Sequence, residues 1–292
     1  MNKILLKYQI AIFTFISFLI IGLIVWYIRD IRYFFLFAGI GTADAFSRVL
    51  VEHYPKLRQV FRRILMIFIG CFLFIGLSLI IGVNFQFPQI VFDTVYGIVT
   101  GALIQLIIAR IILPFFLGNA FCSRACWDGA IFEFVNSSIK CNNKPKPRSN
   151  ILAWGYLVFL VGLAIYVSLY WNVAQDINLR KKWIIGENIF IIAAGITLTK
   201  IWGSRAYCRR LCPFLTISGV ISPISLFKIT PVDADKCTAC NLCNNACPML
   251  IDVKEYVKQN KRINNPTCIL CERCVSACPN NVISLSLKNH KL

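Results

Sequence analysis

Cys237-Thr-Ala-Cys240-Asn-Leu-Cys243-Asn-Asn-Ala-Cys247-Pro248, repeated downstream as Cys268-Ile-Leu-Cys271-Glu-Arg-Cys274-Val-Ser-Ala-Cys278-Pro279, is the stretch on which this chain turns. Each run is C-x2-C-x2-C-x3-C-P. Three thiols at i, i+3 and i+6 wrap three corners of an iron–sulfur cubane, while the fourth opens a short helix and reaches across to the other cluster. The spacing therefore predicts two 4Fe–4S clusters, one on Cys237, Cys240, Cys243 and Cys278, the other on Cys268, Cys271, Cys274 and Cys247. Pro248 and Pro279 end the ligand loops and set a turn. Zinc ribbons use two C-x2-C pairs rather than eight cysteines in a doubled pattern, and a cytoplasmic location disfavours disulfides. Residues 237–292 are read as a small α+β domain.

Working outward, the rest of the chain has another character. Of 292 residues 58% are hydrophobic and the mean hydropathy is +0.67, well above a soluble composition. Residues 1–205 form the membrane part and 206–236 a linking segment. The runs Tyr8–Ile28, Ile64–Val83, Val91–Phe116, Ile151–Trp171 and Trp183–Trp202 are each long enough to cross the hydrocarbon as a helix. Ile31–Val51 is a sixth candidate; its Asp44 and Arg48 stand at i,i+4, where they can pair on one helix face. The alternative is an interfacial amphipathic helix there. The predicted fold class is thus an all-α polytopic membrane domain of six helical segments, five in the alternative, followed by the small α+β domain.

The formal charge is +18, but its Lys and Arg sit in short connections between apolar runs, as the positive-inside rule requires of a membrane protein, and this disfavours nucleic acid as a partner. Two clusters would lower it to about +14. Lys56, Arg58, Arg62 and Arg63, like Lys140, Lys144, Lys146 and Arg148, read as cytoplasmic, whereas the uncharged stretch Asn84–Ile90 suits the outer face. Counting spans from these anchors puts the Cys-rich tail in the cytoplasm of a cell with an inner membrane. Arg180, Lys181 and Lys182 fall in an outer connection, against the rule. The first run, though preceded by Lys3 and Lys7, lacks a small-residue cleavage site and reads as a retained span. Residues 142–150 make a stiff basic connector. No internal repeat is visible in the membrane half.

Two further pairs, Cys122-Ser-Arg-Ala-Cys126 and Cys208-Arg-Arg-Leu-Cys212-Pro213, end two spans. A C-x3-C on a helix puts both sulfurs on one face, so two such pairs brought together form a four-thiolate site. Arg124, Arg205, Arg209 and Arg210 are expected to lower the thiol pKa values. The readings that stay open are a third Fe–S or other metal site, a dithiol/disulfide relay and inert buried thiols. Cys71 and Cys141 have no partner at ligand spacing. Arg110 and Lys200, near span ends, read as snorkelling cations; Glu187 reads equally as a quinol-site residue or a headgroup contact. With His53 and His290 its only histidines, the chain lacks the ligands of a bis-His pair of haems, and no haem is predicted. No GxGxxG, P-loop or HExxH pattern occurs.

Phe121-Cys122-Ser-Arg-Ala-Cys126-Trp127-Asp128-Gly129 and Tyr207-Cys208-Arg-Arg-Leu-Cys212-Pro213-Phe214, followed by two CxxCxxCxxxCP runs, resemble the NapH-type membrane ferredoxin family, which includes a quinol-oxidising subunit of periplasmic nitrate reductase systems. Related modules occur in nitrous-oxide regulators and in a copper-reducing oxidase-assembly factor. The likeness covers residues from about 92 to 285; the tail alone resembles bacterial two-cluster ferredoxins. Trp127 stands where the first CxxxC commonly has Pro, resembling a Cys-Trp variant branch, and the N-terminal membrane segment exceeds the usual four-span plan. The resemblance implies an electron-transfer subunit rather than a complete enzyme, coupling membrane quinol to a partner redox protein, with a quinone as a further cofactor. The alternatives are a metal (copper) reductase or assembly factor using the CxxxC pairs, and a redox-sensing regulator.

Overall fold

The structure is a computed structural model and describes residues 3–28, 31–81, 85–98, 101–138, 149–171, 173 and 176–287. Cys141, His290 and the basic connector up to Arg148 lie outside the described residues. Among the described residues the regular elements are helical apart from one pair of short strands.

Helices α1 (Lys3–Ile28) and α2 (Ile31–His53) form an antiparallel hairpin whose backbones approach closely. A Cβ on Gly41 would lie 2.5 Å from the Cβ of Phe18, and one on Gly22 would lie 3.3 Å from the Phe34 ring. Small residues at such crossings let apolar helices associate where no hydrophobic drive operates between them. Asp44 and Arg48 do pair, at 2.8 Å. Helix α3 (Arg58–Cys71) runs on as a π-helix over Phe72–Ile81.

The expected single span Val91–Phe116 is instead two pieces. Helix α4 (Phe87–Val95), started by Pro88, stops at Gly97, whose φ of 67° is left-handed; Gly97 N–H donates to Thr94 O and Ile98 N–H to Asp93 O, closing the turn. The chain resumes as α5 (Gly101–Leu106), a π-helix (Ile107–Ile112) and α6 (Leu113–Leu117). The first CxxxC segment lies on α7 (Phe121–Arg124) and leads into α8 (Trp127–Ser138). Helices α9 (Asn150–Tyr170) and α10 (Ile177–Trp202) follow. Asp176 caps α10, accepting from the N–H groups of Asn178 and Leu179, so this helix begins before Trp183, and Arg180, Lys181 and Lys182 belong to its first turns rather than to a connection.

Among the described residues four helices are long and apolar enough to cross a membrane: Tyr8–Ile28, Tyr33–His53, Asn150–Tyr170 and Asn178–Trp202. Exposed Ile12, Ile16, Val158, Phe159, Ile189 and Phe190 give them lipid-facing sides. Gly101–Leu117 and Pro213–Ile224 are shorter apolar helices.

The second CxxxC segment lies on α11 (Ala206–Arg210) and leads into α12 (Pro213–Ile221). In the tail, strand β1 (Lys228–Pro231) pairs antiparallel with β2 (Ile283–Ser286), Ile229 opposite Leu285. Between them lie α13 (Leu242–Ala246), α14 (Val253–Lys258) and α15 (Arg273–Ala277). One apolar core runs through both halves: Leu113 and Leu117 join Phe227, Ile229, Met249, Ile251, Val253, Ile269 and Leu270. The tail is therefore seated on the membrane half.

Candidate metal centres

The two tail loops share one backbone. Ala239, Asn241 and Leu250 have φ of 54°, 65° and 55°; Leu270, Glu272 and Asn281, at the equivalent positions, have 49°, 57° and 50°. Left-handed residues without a glycine are uncommon and cluster at functional sites. Loops in which residues of opposite hand alternate form concavities suited to anionic groups such as iron–sulfur clusters. The hydrogen bonds repeat too: Cys247 N–H donates to Asn244 O and Cys278 N–H to Val275 O. Cys247 and Cys278 close α13 and α15 rather than opening a helix, which corrects the expectation. The helix comes first because the left-handed Asn241 and Glu272 stand at its N-cap. Pro248 and Pro279 then enter the turns in which Leu250 N–H donates to Cys247 O and Asn281 N–H to Cys278 O.

These loops bring the eight thiols into two groups. Cys237, Cys240, Cys243 and Cys278 line one small cavity, and Cys247, Cys268, Cys271 and Cys274 line another. The four-thiol donor sets and the left-handed turns beside them fit 4Fe–4S clusters. Among the described residues every cysteine is a free thiol, and no three His, Cys, Asp or Glu side chains gather tightly enough to chelate a single ion.

The CxxxC pairs meet as well. Cys122, Cys126, Cys208 and Cys212 line one cavity of about 620 Å³, with Arg110, Asp128, Tyr156, Tyr207 and Glu187. Their arms are duplicates. Phe121 O accepts from Ala125 N–H (2.9 Å) and Cys126 N–H (3.1 Å); Tyr207 O accepts from Leu211 N–H (2.8 Å) and Cys212 N–H (3.0 Å). Each arm follows a glycine at positive φ, Gly118 (52°) and Gly203 (90°). The membrane half thus has a short internal repeat, Phe121, Cys122, Arg124 and Cys126 matching Tyr207, Cys208, Arg210 and Cys212, which the sequence shows as two CxxxC pairs and the backbone shows as one repeated turn.

Arg110 does not snorkel. It is buried, donates an N–H to Cys122 Sγ (3.1 Å), and lies between the Phe121 and Phe214 rings at 4.4 and 4.6 Å. Each ring comes from a different arm, so the guanidinium clamps them together. Arg205, left-handed at φ 48°, donates to Cys122 O, Gly129 O and Glu133 Oε2. Lys200 is exposed, in keeping with snorkelling; His53 ends α2 at the surface, and Cys71 is exposed. Burial outweighs the arginines: Arg110 draws Cys126 and Cys212 down and Arg205 draws Cys208 down, yet all three thiols stand above their usual values. Burial pushes Cys126 up to about 12, with Asp128 adding to it, and Cys212 up to about 11; Cys208 also lies well above its usual value. In the tail, burial likewise raises Cys268 to about 12 and Cys247 to about 11. Such thiols ionise on coordination, since a bound metal deprotonates them outright.

Glu133 on α8 escaped the sequence reading. It receives Arg62 Nη2 (2.5 Å), Arg205 Nη2 (2.8 Å) and Arg273 Nη2, the last from the tail. Burial works to raise its pKa, yet Arg205, Arg62 and Arg273 overcome it and hold Glu133 at about 2. The one available signal was that it is the single acid between Asp128 and Asp176. A second bridge joins Asp44, Arg124 and Glu272, at 3.1 and 3.0 Å. Gln59 Nε2 donates to Cys271 O, Asn119 Nδ2 to Cys268 O, and Ser204 Oγ to Pro248 O. Ile269, between Cys268 and Cys271, lines both the buried tail cavity and the four-cysteine cavity.

Apolar spanning helices beneath doubled cysteine loops define a membrane-bound 4Fe–4S ferredoxin-type protein. Residues 230–279 match the 4Fe-4S dicluster domain family, and residues 99–146 and 186–230, which contain the two CxxxC arms, match a 4Fe-4S binding domain family. The chain is similar to the putative electron transport protein YccM of Escherichia coli, 27% identical over 63% of this chain and 57% of that protein. It is also similar to the ferredoxin-type protein NapH of Haemophilus influenzae (26%; 47% of this chain, 50% of that protein) and to the methylamine utilization ferredoxin-type protein MauN of Methylorubrum extorquens (24%; 69% and 75%). The chain thus spans little more than half the length of the Escherichia coli relative. No solved structure matches it. These relatives and family models support a NapH-type ferredoxin family for the chain.

Proposed function

We propose that this protein relays electrons between membrane quinol and a partner redox protein, through two 4Fe–4S clusters in the tail and a third redox centre at the CxxxC arms. Cys237, Cys240, Cys243 and Cys278 hold the outer cluster; Cys268, Cys271, Cys274 and Cys247 hold the inner one; Cys122, Cys126, Cys208 and Cys212 hold the third centre. The observation that carries this reading is Ile269: it is the shared wall of the four-cysteine cavity and the inner tail cavity. The three cysteine sets then stand in a row, ending at exposed Cys240, where a soluble partner can approach. A bound 4Fe–4S group supplies one-electron steps at a potential set by charge, hydrogen bonds and solvent exposure. Arg110 steadies the sulfur of Cys122, and the Glu133 ion cluster keeps the tail seated so that the row stays in register. The tail faces the cytoplasm of an inner membrane in this reading, as the Lys56–Arg63 charges favour.

Iron and labile sulfide per chain test the centres. About twelve of each supports three clusters and about eight only two; a Cys126→Ser variant that retained all iron would remove the arms from the account. Quinol reconstituted with the protein in liposomes should reduce the clusters, and absence of any electron exchange would end the relay reading.

A further inference from the structure

A second cavity, of about 630 Å³, lies on the opposite side of α7, between the α1–α2 hairpin and the α5–α6 segment. Phe18, Tyr33, Phe37, Phe72 and Phe85 line its walls, and Asp44, Arg48, Gln105 and Arg124 supply its polar groups. We propose that this cavity binds the headgroup of a neutral quinol or quinone, an assignment that rests on the relay reading above for the ligand's class and adds its location.

Four observations carry the assignment. The size suits a ring with the start of an apolar tail, within the usual range of ligand pockets, and aromatic walls suit a flat ring. The polar groups leave one donor and one acceptor open: Arg124 Nε and Gln105 Oε1 are buried without a hydrogen-bond partner. A quinol hydroxyl can donate to Gln105 Oε1 and accept from Arg124 Nε, removing the cost of burying both unpaired. Charge selects against competitors. Both guanidiniums already face carboxylates, Arg48 against Asp44 at 2.8 Å and Arg124 against Asp44 and Glu272 at 3.1 and 3.0 Å, so a phosphate or fatty-acid headgroup meets matched charges rather than a free cation. Position supports the same ligand: Phe121 and Ala125 of the first CxxxC arm line this cavity, while Cys122 and Cys126 of that arm line the other. One short helix therefore separates the headgroup from the four-cysteine site.

The test is binding of 2-heptyl-4-hydroxyquinoline N-oxide, a fluorescent quinol analogue, to the full chain in phosphatidylcholine nanodiscs. Wild type should bind saturably. Gln105→Leu, which removes the acceptor, and Ala109→Phe, which fills the cavity, should each weaken binding about tenfold at unchanged iron content. Gly186→Leu, in the four-cysteine cavity, should leave it unchanged, since a Cβ there meets nothing within 4 Å. Wild-type affinity in Ala109→Phe, weakening by Gly186→Leu alone, or wild type without saturable binding, as for a cavity filled by lipid chains, would each overturn the assignment. Binding needs no electron transfer. Analogue bound here with clusters that quinol never reduces would sink the relay and spare the site; normal reduction of the clusters by quinol in both cavity variants would do the reverse.

Discussion

The two cysteine loops of the tail are nearly superimposable in backbone and unlike in surroundings. Ala239 and Leu270, Asn241 and Glu272, Leu250 and Asn281 match in left-handed conformation. Yet Cys240 is exposed while Cys271 and Cys274 are buried. The second loop takes hydrogen bonds from Gln59 and Asn119 and sends Glu272 and Arg273 into ion pairs with the membrane half; the first has a single hydrogen bond from Ser204 Oγ to Pro248 O among its described ties to that half, and its Lys236 pairs with nearby Asp233 at the surface. The motif dictates how each loop curls, and the neighbours dictate which loop becomes the inner one. A duplicated motif can thus give two centres of unequal exposure, and exposure is one of the terms that set cluster potential.

The strongest way to break this asymmetry is at Glu133. Glu133→Ala leaves Arg62 and Arg205 buried without their carboxylate, which costs about 3–5 kcal/mol, and it cuts the Arg273 tie to the tail. Thermal unfolding in detergent should fall sharply, and limited proteolysis should release a tail fragment that wild type protects. Acid should do the same by degrees. The folded-state pKa of Glu133, about 2, lies below its ordinary 4.5, so its stabilisation is full above pH 4.5 and is lost as pH falls toward 2; the shift corresponds to about 3 kcal/mol. The unfolding midpoint of wild type should drop across that window, with a Glu133→Gln variant showing a flatter dependence.

Iron release probes the loops themselves. A chelator acting on the oxidised protein should remove iron in two phases, the faster from the Cys237 set, and a ratio of at least about tenfold in rate corresponds to some 1.4 kcal/mol of differential protection. Cys240→Ser should abolish the fast phase and leave the slow one. A single phase in wild type would mean that burial of the second loop has no protective consequence.

Much of the tail was legible because its information is local: eight cysteines at fixed spacing specify the grouping whatever surrounds them. The Asp44–Arg48 pair was legible for the same reason, being one helical turn apart. What was not legible depended on partners distant in the chain. Arg110 looks like a snorkelling cation until Phe121 and Phe214 are folded onto it. Glu133 is one acid in an apolar segment until Arg62, Arg205 and Arg273 arrive from three other elements. Gly97 lies inside the expected span Val91–Phe116, and only the folded chain makes it a helix end. The two CxxxC arms were legible as spacing, whereas their common turn shows only in the hydrogen bonds to Phe121 O and Tyr207 O, which carry no residue signature.

The smallest effect gives the closest comparison between the loops. Asn119 Nδ2 donates to Cys268 O (3.3 Å) and Pro266 O (2.9 Å) from a buried position at the start of the inner loop. Asn280 Nδ2 donates to Lys236 O (2.8 Å) beside the outer loop, in the open. Both are amide-to-carbonyl bonds of the same kind, so their difference isolates burial. Asn119→Ala leaves a buried carbonyl without this donor and should cost about 1–2 kcal/mol. Asn280→Ala hands its carbonyl to water and should stay within about 0.5 kcal/mol of wild type. Thermal midpoints of the two variants, read beside the rates of the two iron-release phases, should show Asn119→Ala accelerating only the slow phase. Equal effects from both substitutions would mean that the inner loop is no more shielded than the outer one, and the order of centres from arms to solvent would lose its structural basis.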